Sequence, residues 1–180
     1  MTRSRHAAAA ARRMRQRIGV AVVAILLAHP AAGDPFDDGL AAYFSGNYAA
    51  ALRLWMPLVE LGDAKAQNNV GILYENGEGV ARDDNEAARL YRLASTKGHA
   101  DAQLNLGLMY EQGRGVAQDR VRAHMWFSLS AAMSAGSMLW GGLGALTARD
   151  AVATKLTPEQ LAQAQVLARR CRETNYVACD

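Results

Sequence analysis

The sequence predicts an all-α fold in which antiparallel helix pairs stack into an array, closed by a further C-terminal helix pair. The first observation behind this is self-similarity, tested before local structure. A shift of 36 lays Ala66–Asp83 on Ala102–Asp119, and 11 of those 18 positions are identical, Asn69/Asn105, Gly71/Gly107 and Tyr74/Tyr110 among them. The same shift aligns Ala51, Ala87 and Ala123, then Trp55, Tyr91 and Phe127. The second observation is spacing. Ala66, Val70, Leu73 and Tyr74 fall at i, i+4, i+7 and i+8, the stripe of an amphipathic helix. The third is punctuation: a loop with glycines at 77 and 79, repeated at 113 and 115, where positive φ stops a helix.

The N-terminus precedes the array. Six of the 20 basic residues lie before residue 18, with no acid among them. Ile18–Ala28 is an apolar run of 11 residues, broken at His29-Pro30 and followed by Ala31-Ala32-Gly33. This order is that of a secretory signal cleaved after Gly33. Eleven helical residues span roughly 16 Å, about half the hydrocarbon core, so an uncleaved anchor is the weaker alternative. Met14 opens a compact signal of ordinary length and is an alternative start. From Asp34 onward there are 14 basic and 17 acidic residues, a net of −3. The sequence pI of about 9.1 therefore belongs to the N-terminus, and the body lacks the basic stripe of a nucleic-acid binder.

The units follow in order. Residues 34–62 form an abbreviated unit whose connecting loop shrinks to Gly46-Asn47. Residues 63–98 and 99–136 are full units. In each, Gly71 or Gly107 sits where a side chain would hold the paired helix away. Asp83, with Glu86 three residues on, predicts a capping box that opens the second helix. Ala87, Leu90, Tyr91 and Ala94 make that helix's buried face. Ser137–Thr154 reads as a helix with Trp140, Leu143, Leu146 and Val152 apolar, its start weakened by Gly141, Gly142 and Gly144. Thr157-Pro158, with Gln160, begins the last helix with a second capping box. Leu161, Ala164, Ala168 and Cys171 share one face of it. Residues 137–180 thus cap the array.

The pattern A-x-A-Q-x-N-h-G-x-h-Y-E-x-G-x-G-V-x-x-D (h for apolar), followed by Ala and an aromatic, resembles the Sel1-like repeat, a relative of the tetratricopeptide repeat. It covers Asp34 to about Gly136. The tail around Leu156-Thr157-Pro158-Glu159-Gln160 is similar to the closing segment of exported Sel1-like proteins. The resemblance implies a right-handed α-solenoid with a concave face used for protein–protein contact. By position it implies a groove lined by Asp37, Ala41 and Phe44, then Lys65, Asn68, Ile72 and Glu75, then Asp101, Leu104, Leu108 and Glu111. Among these, Ile72, Leu104 and Leu108 would form an apolar patch able to anchor a peptide; plain solvated helix surface is the bland alternative.

Chemistry has little footing. Asp37-Asp38 and Asp83-Asp84 adjoin predicted helix starts, where anions favour the dipole. His99 lies in an inter-repeat turn and His124 on a second helix, with no second ligand at metal spacing. No nucleophile elbow, phosphate loop or zinc-protease motif occurs. Trp55, Trp126 and Trp140, with Tyr74, Tyr91, Tyr110 and Phe127, would suggest an aromatic cleft, but most of them fall at periodic buried positions and read as core. Cys171 and Cys179, eight apart, are expected to pair in an exported protein; free thiols are the alternative.

The expectation is therefore a periplasmic, monomeric, non-catalytic adaptor for a protein or peptide. It takes no cofactor, nucleic acid or metal, and has no stable membrane insertion once the signal is removed. Two alternatives stay open. One is an enzyme or binder of cell-wall or β-lactam-type molecules, to which some disulfide-rich Sel1-like proteins have been linked; this chain's repeats lack their cysteine pairs. The other is a membrane-anchored assembly factor that keeps its signal.

Overall fold

A computed structural model describes residues 33–133, 141–177 and 179 of the chain. The expected signal segment, all but its last residue, lies outside them, as do Trp140 and the expected boundary at 136. Among the described residues there are eight helices and no strand. They are α1 (Pro35–Phe44), α2 (Tyr48–Glu60), α3 (Ala64–Asn76), α4 (Asp84–Ser95), α5 (Ala100–Gln112), α6 (Arg120–Met133), α7 (Gly141–Ala153) and α8 (Pro158–Glu173). Each helix packs on its successor from α1 to α7, and α8 packs on α6, so odd-numbered first helices alternate with even-numbered second helices in an α-solenoid.

Polar side chains start these helices. Asn47 and Asp63 accept from the amides of Ala50 and Ala66. His99 stands one period after Asp63 and caps in the same way, its Nδ1 accepting from the Ala102 amide at 3.3 Å. The inter-repeat turn expected at His99 is thus a helix cap. Asp83 caps α4, accepting from Asn85 and Glu86. The reciprocal half of its expected capping box is replaced. The Asp83 amide donates to the Tyr74 carbonyl, and Glu86 pairs with Arg89 instead. One period later the Asp119 amide donates to the Tyr110 carbonyl, so this bond closes the loop of both full units. At Thr157 both halves of the box are present, with Pro158 opening the helix. Gly77 and Gly113, at φ +72° and +69°, end α3 and α5 in the left-handed conformation that glycine adopts without a Cβ clash.

The core forms two clusters. Ala51, Trp55, Ala66, Val70, Leu73 and Leu90 gather between the first two pairs. Ala87, Tyr91, Leu106, Met109, Trp126, Phe127, Val152 and Cys171 belong to the larger one. Cys171 and Cys179 are bonded, with Cα atoms 4.6 Å apart. The loop so closed carries Tyr176 back onto the array, where its hydroxyl lies 3.1 Å from Met133 Sδ.

Candidate functional site

Close approach of paired helices sets the register of the first-helix face. Gly71 lies against Tyr91 and Gly107 against Phe127, where an added Cβ would fall 2.7 and 2.5 Å from the ring. Gly39 lies against Trp55 in the same way. Gly39, Gly71 and Gly107 are therefore equivalent, and the first unit's opening helix is offset by 32 residues rather than 36 because its loop is shorter. In this register Phe36, Leu40 and Tyr43 correspond to Asn68, Ile72 and Glu75. The sequence-based positions Asp37, Ala41 and Phe44 stand one residue too far along, and all three are exposed.

Phe44 nevertheless reaches the face. It is 81% exposed and lines a pocket of about 140 Å3 with Leu40, Tyr43, Trp55, Asn69 and Ile72. The pocket lies between α1 and α3, with walls that are mainly aromatic and aliphatic. Trp55 is held at its base by Nε1–H donation to the Phe36 carbonyl (3.1 Å). Tyr43 is half-buried, and burial pushes its phenol pKa up, aided by the charge of Glu78. Leu40, Tyr43 and Asn69 were missed in the sequence; the alignment of Gly39 with Gly71 contained the signal for the first two.

Other expected groove residues serve elsewhere. Asn68 is buried and accepts from Asn105 Nδ2 (3.1 Å), joining α3 to α5. Glu75 accepts from the Tyr91 hydroxyl (2.6 Å) and from Arg114 Nη2 (2.7 Å), tying three segments together. Burial, with that hydrogen bond, raises the Tyr91 pKa far above the usual phenol range, so the hydroxyl stays a donor. Glu111, one period after Glu75, has no hydroxyl opposite because Phe127 replaces Tyr91; it takes Lys155 Nζ at 2.7 Å. Leu104 and Leu108 are half-buried and pack on the larger core cluster; Leu104 also lies beside Gly144 of α7. Ile72 is half-buried too. The structure thus brings Phe44 and Ile72 together and leaves Leu104 and Leu108 out of that pocket. Lys65 and Asp101 are exposed, and the Lys65 ammonium lies 5.6 Å from the Phe36 ring centroid.

The titratable groups are in structural roles. His99 is a cap, and burial lowers its pKa; Asp101 and Asp63 oppose that shift while Lys65 adds to it. His124 is buried, its pKa lowered by burial and by Arg149, against Asp150. Asp84 pairs with Arg82, whose hydrogen bond holds the carboxyl below its ordinary value. Asp37 and Asp38 lie in the first turn of α1. Among the described residues no three His, Cys, Asp or Glu side chains gather where they would hold a metal ion. Among the described residues, too, no helix is long and apolar enough to cross a membrane. The disulfide fits an oxidising compartment.

Known proteins share this architecture. The Sel1 repeat matches residues 64–99 and 100–134. A protective antigen present in uropathogenic Escherichia coli strains, which displays an SLR fold, superposes with a TM-score of 0.70 at 28% identity. That match covers 79% of this chain and 31% of the antigen, so the chain spans under a third of the antigen's length. A Sel1 repeat protein from Oxalobacter formigenes is 35% identical over 54% of this chain and 77% of its own, with a TM-score of 0.50. No curated protein matches the chain. Repeats of this kind are typically scaffolds for protein interaction, without catalysis. The repeat frame, the glycine–aromatic contacts and these likenesses agree: the chain belongs to the Sel1 repeat family.

Proposed function

We propose that this chain is an exported, non-catalytic adaptor that holds a protein partner by an apolar side chain seated between α1 and α3. The observation that supports this reading most is the pocket there. Phe44 stands largely in solvent at its mouth, beside Leu40, Tyr43 and Ile72. A large exposed aromatic next to a half-open apolar pocket is the form of an interaction anchor rather than of a packed core. Asp37 and Asp38 are exposed on the same helix, and the body carries a net charge of −3, so basic residues should flank the partner's anchor.

Export rests on the N-terminal pattern, with the mature chain beginning at Asp34 in the periplasm. The disulfide supports that compartment. Intact mass of the fractionated protein tests it, and full-length chain in the membrane pellet refutes it. The binding reading is tested with a photoreactive phenylalanine analogue at position 44, compared with one at Val166, which is exposed on α8. The reading expects one discrete crosslinked partner from position 44 in cells, lost when Leu40→Asp and Ile72→Asp are added. Crosslinks of equal yield from both positions would sink it.

A further inference from the structure

A second concavity lies on the opposite set of helices, between α6 and α8. Ser128, Gln165, Ala168, Arg169 and Arg172 line it, and its volume is about 180 Å3. The four α8 residues fall at i, i+3, i+4 and i+7, one stripe of that helix. Cys171 lies between the two arginines in sequence, buried and bonded to Cys179, so the turn carrying them is fastened to the core.

The charge here is unbalanced. Arg82, Arg89, Arg114, Arg122 and Arg149 each pair with a carboxylate. Arg169 and Arg172 have no ion-pair partner among the described residues, and no carboxylate lines the pocket. Two unpaired guanidinium forks on an otherwise acidic body mark a place for an oxyanion.

The remaining lining atoms select what kind. The Ser128 hydroxyl donates to the His124 carbonyl at 2.8 Å, so toward the pocket it offers lone pairs, an acceptor. Gln165 offers both an amide donor and an acceptor. Free phosphate in its ionised form brings almost only acceptors and would face the Ser128 lone pairs unfavourably. A peptide brings carboxylate oxygens for the arginines together with backbone N–H groups for Ser128 and Gln165. The buried methyl of Ala168 gives a floor for an aliphatic stem. We propose that the pocket between α6 and α8 docks a carboxylate-bearing segment of a protein, through Arg169 and Arg172 with Ser128 and Gln165 reading the adjoining peptide groups. This site is separate from the one between α1 and α3, so the adaptor would engage two segments at once.

Fluorescence anisotropy of a labelled hexaglutamate peptide against the folded chain tests this. At about 0.1 M ionic strength, where the Debye length is about 10 Å, the peptide should bind saturably. Arg169→Gln/Arg172→Gln should weaken binding at least about tenfold, the loss expected for two charge-assisted contacts. Arg53→Gln/Arg120→Gln removes two other exposed arginines that have no ion-pair partner among the described residues, and should change it less than about twofold, because exposed charges away from the pocket are screened. Arg169→Lys/Arg172→Lys keeps the charge and loses the forks, so it should bind weakly as well. Circular dichroism checks that each variant is folded. Equal losses from both glutamine pairs would mean a net-charge effect and overturn the proposal. So would displacement of the peptide by inorganic phosphate as effective as by free hexaglutamate, or no binding by the unaltered chain.

Discussion

Replacing Gly107 with alanine should destabilise the array, whereas the same replacement at Gly144 should stabilise it. Both glycines lie within first helices. In an unobstructed helix, Gly→Ala contributes roughly 1 kcal/mol. At Gly144 the new methyl would meet Leu104 Cδ2 at 3.8 Å, an ordinary contact. Most of the gain should therefore appear, raising Tm by a few degrees at about 3–5 °C per kcal/mol for a domain of this size. At Gly107 the methyl would lie 2.5 and 2.6 Å from Phe127 Cε1 and Cδ1. Carbon atoms settle about 3.5–4.0 Å apart, so about 1 Å has to be opened. Phe127 is fully buried and has no solvent to swing into, so α5 and α6 must separate. Overpacking of this kind costs about 1–3 kcal/mol, and the helix-propensity gain offsets only part of it. Thermal melts followed by circular dichroism should show Gly107→Ala below the parent and Gly144→Ala above it. Adding Phe127→Leu should recover part of the Gly107→Ala loss, with a favourable coupling of about 1 kcal/mol in the double-mutant cycle. Melting of Gly107→Ala at or above the parent would refute the close-approach argument.

Three further expectations concern single side chains. His99 caps α5 through an unprotonated Nδ1, and burial lowers its pKa below 6.5. The unfolded chain thus binds more protons as pH falls below about 6.5, and stability drops in that window; urea titrations should show this drop diminished in His99→Asp, which copies the cap at Asp63. Glu75→Ala leaves the buried Tyr91 hydroxyl without its acceptor and should cost about 1–3 kcal/mol; Glu75→Gln keeps an acceptor and should cost less, and equal losses would show that the Arg114 pair dominates. Reducing the Cys171–Cys179 bond should cost about 2–3 kcal/mol, as for so short a loop; hydrogen exchange should quicken around Tyr176 and the end of α8 while α3 and α4 stay protected, and uniform quickening would argue against a local clip.

The repeat frame was legible because two full units share their loops and their glycine–aromatic pairs. The cap at Thr157 was legible because Ser/Thr-Pro-x-Gln chemistry is local. The pairing of Cys171 with Cys179 followed from their proximity and the export pattern. The candidate site was read less well. The shortening of the loop at Gly46-Asn47 was read as five residues rather than four, which misplaced the opening helix of the first unit by one residue, and only Gly39 marks the true offset. Asn68 read as solvated because a lone asparagine on a helix does not announce Asn105, its partner from the next unit. Leu104 and Leu108 read as open surface because nothing local shows that the core and α7 pack against them. The pocket between α6 and α8 combines residues 37 or more positions apart in sequence, from Ser128 to Gln165 and beyond, and no local motif joins them.

The Asn68–Asn105 contact has a mechanical consequence. It is a polar seam between α3 and α5, and it lies near where one apolar cluster gives way to the other. Dispersion packing resists any opening of a close-packed layer, whereas an amide pair near its edge exchanges its partner for water at little net cost. Strain should therefore concentrate at this seam, with α1–α3 behaving as one stiff body and α4–α8, which share the larger cluster, as another. Spin labels at Arg53 and Arg120, which span the seam, should give a broader distance distribution than labels at Arg120 and Arg169, which do not. Asn68→Leu/Asn105→Leu should narrow it. On the proposed two-site reading, a chain held at both ends would then yield at a fixed place, and the angle between the two bound segments would be set by one pair of asparagines.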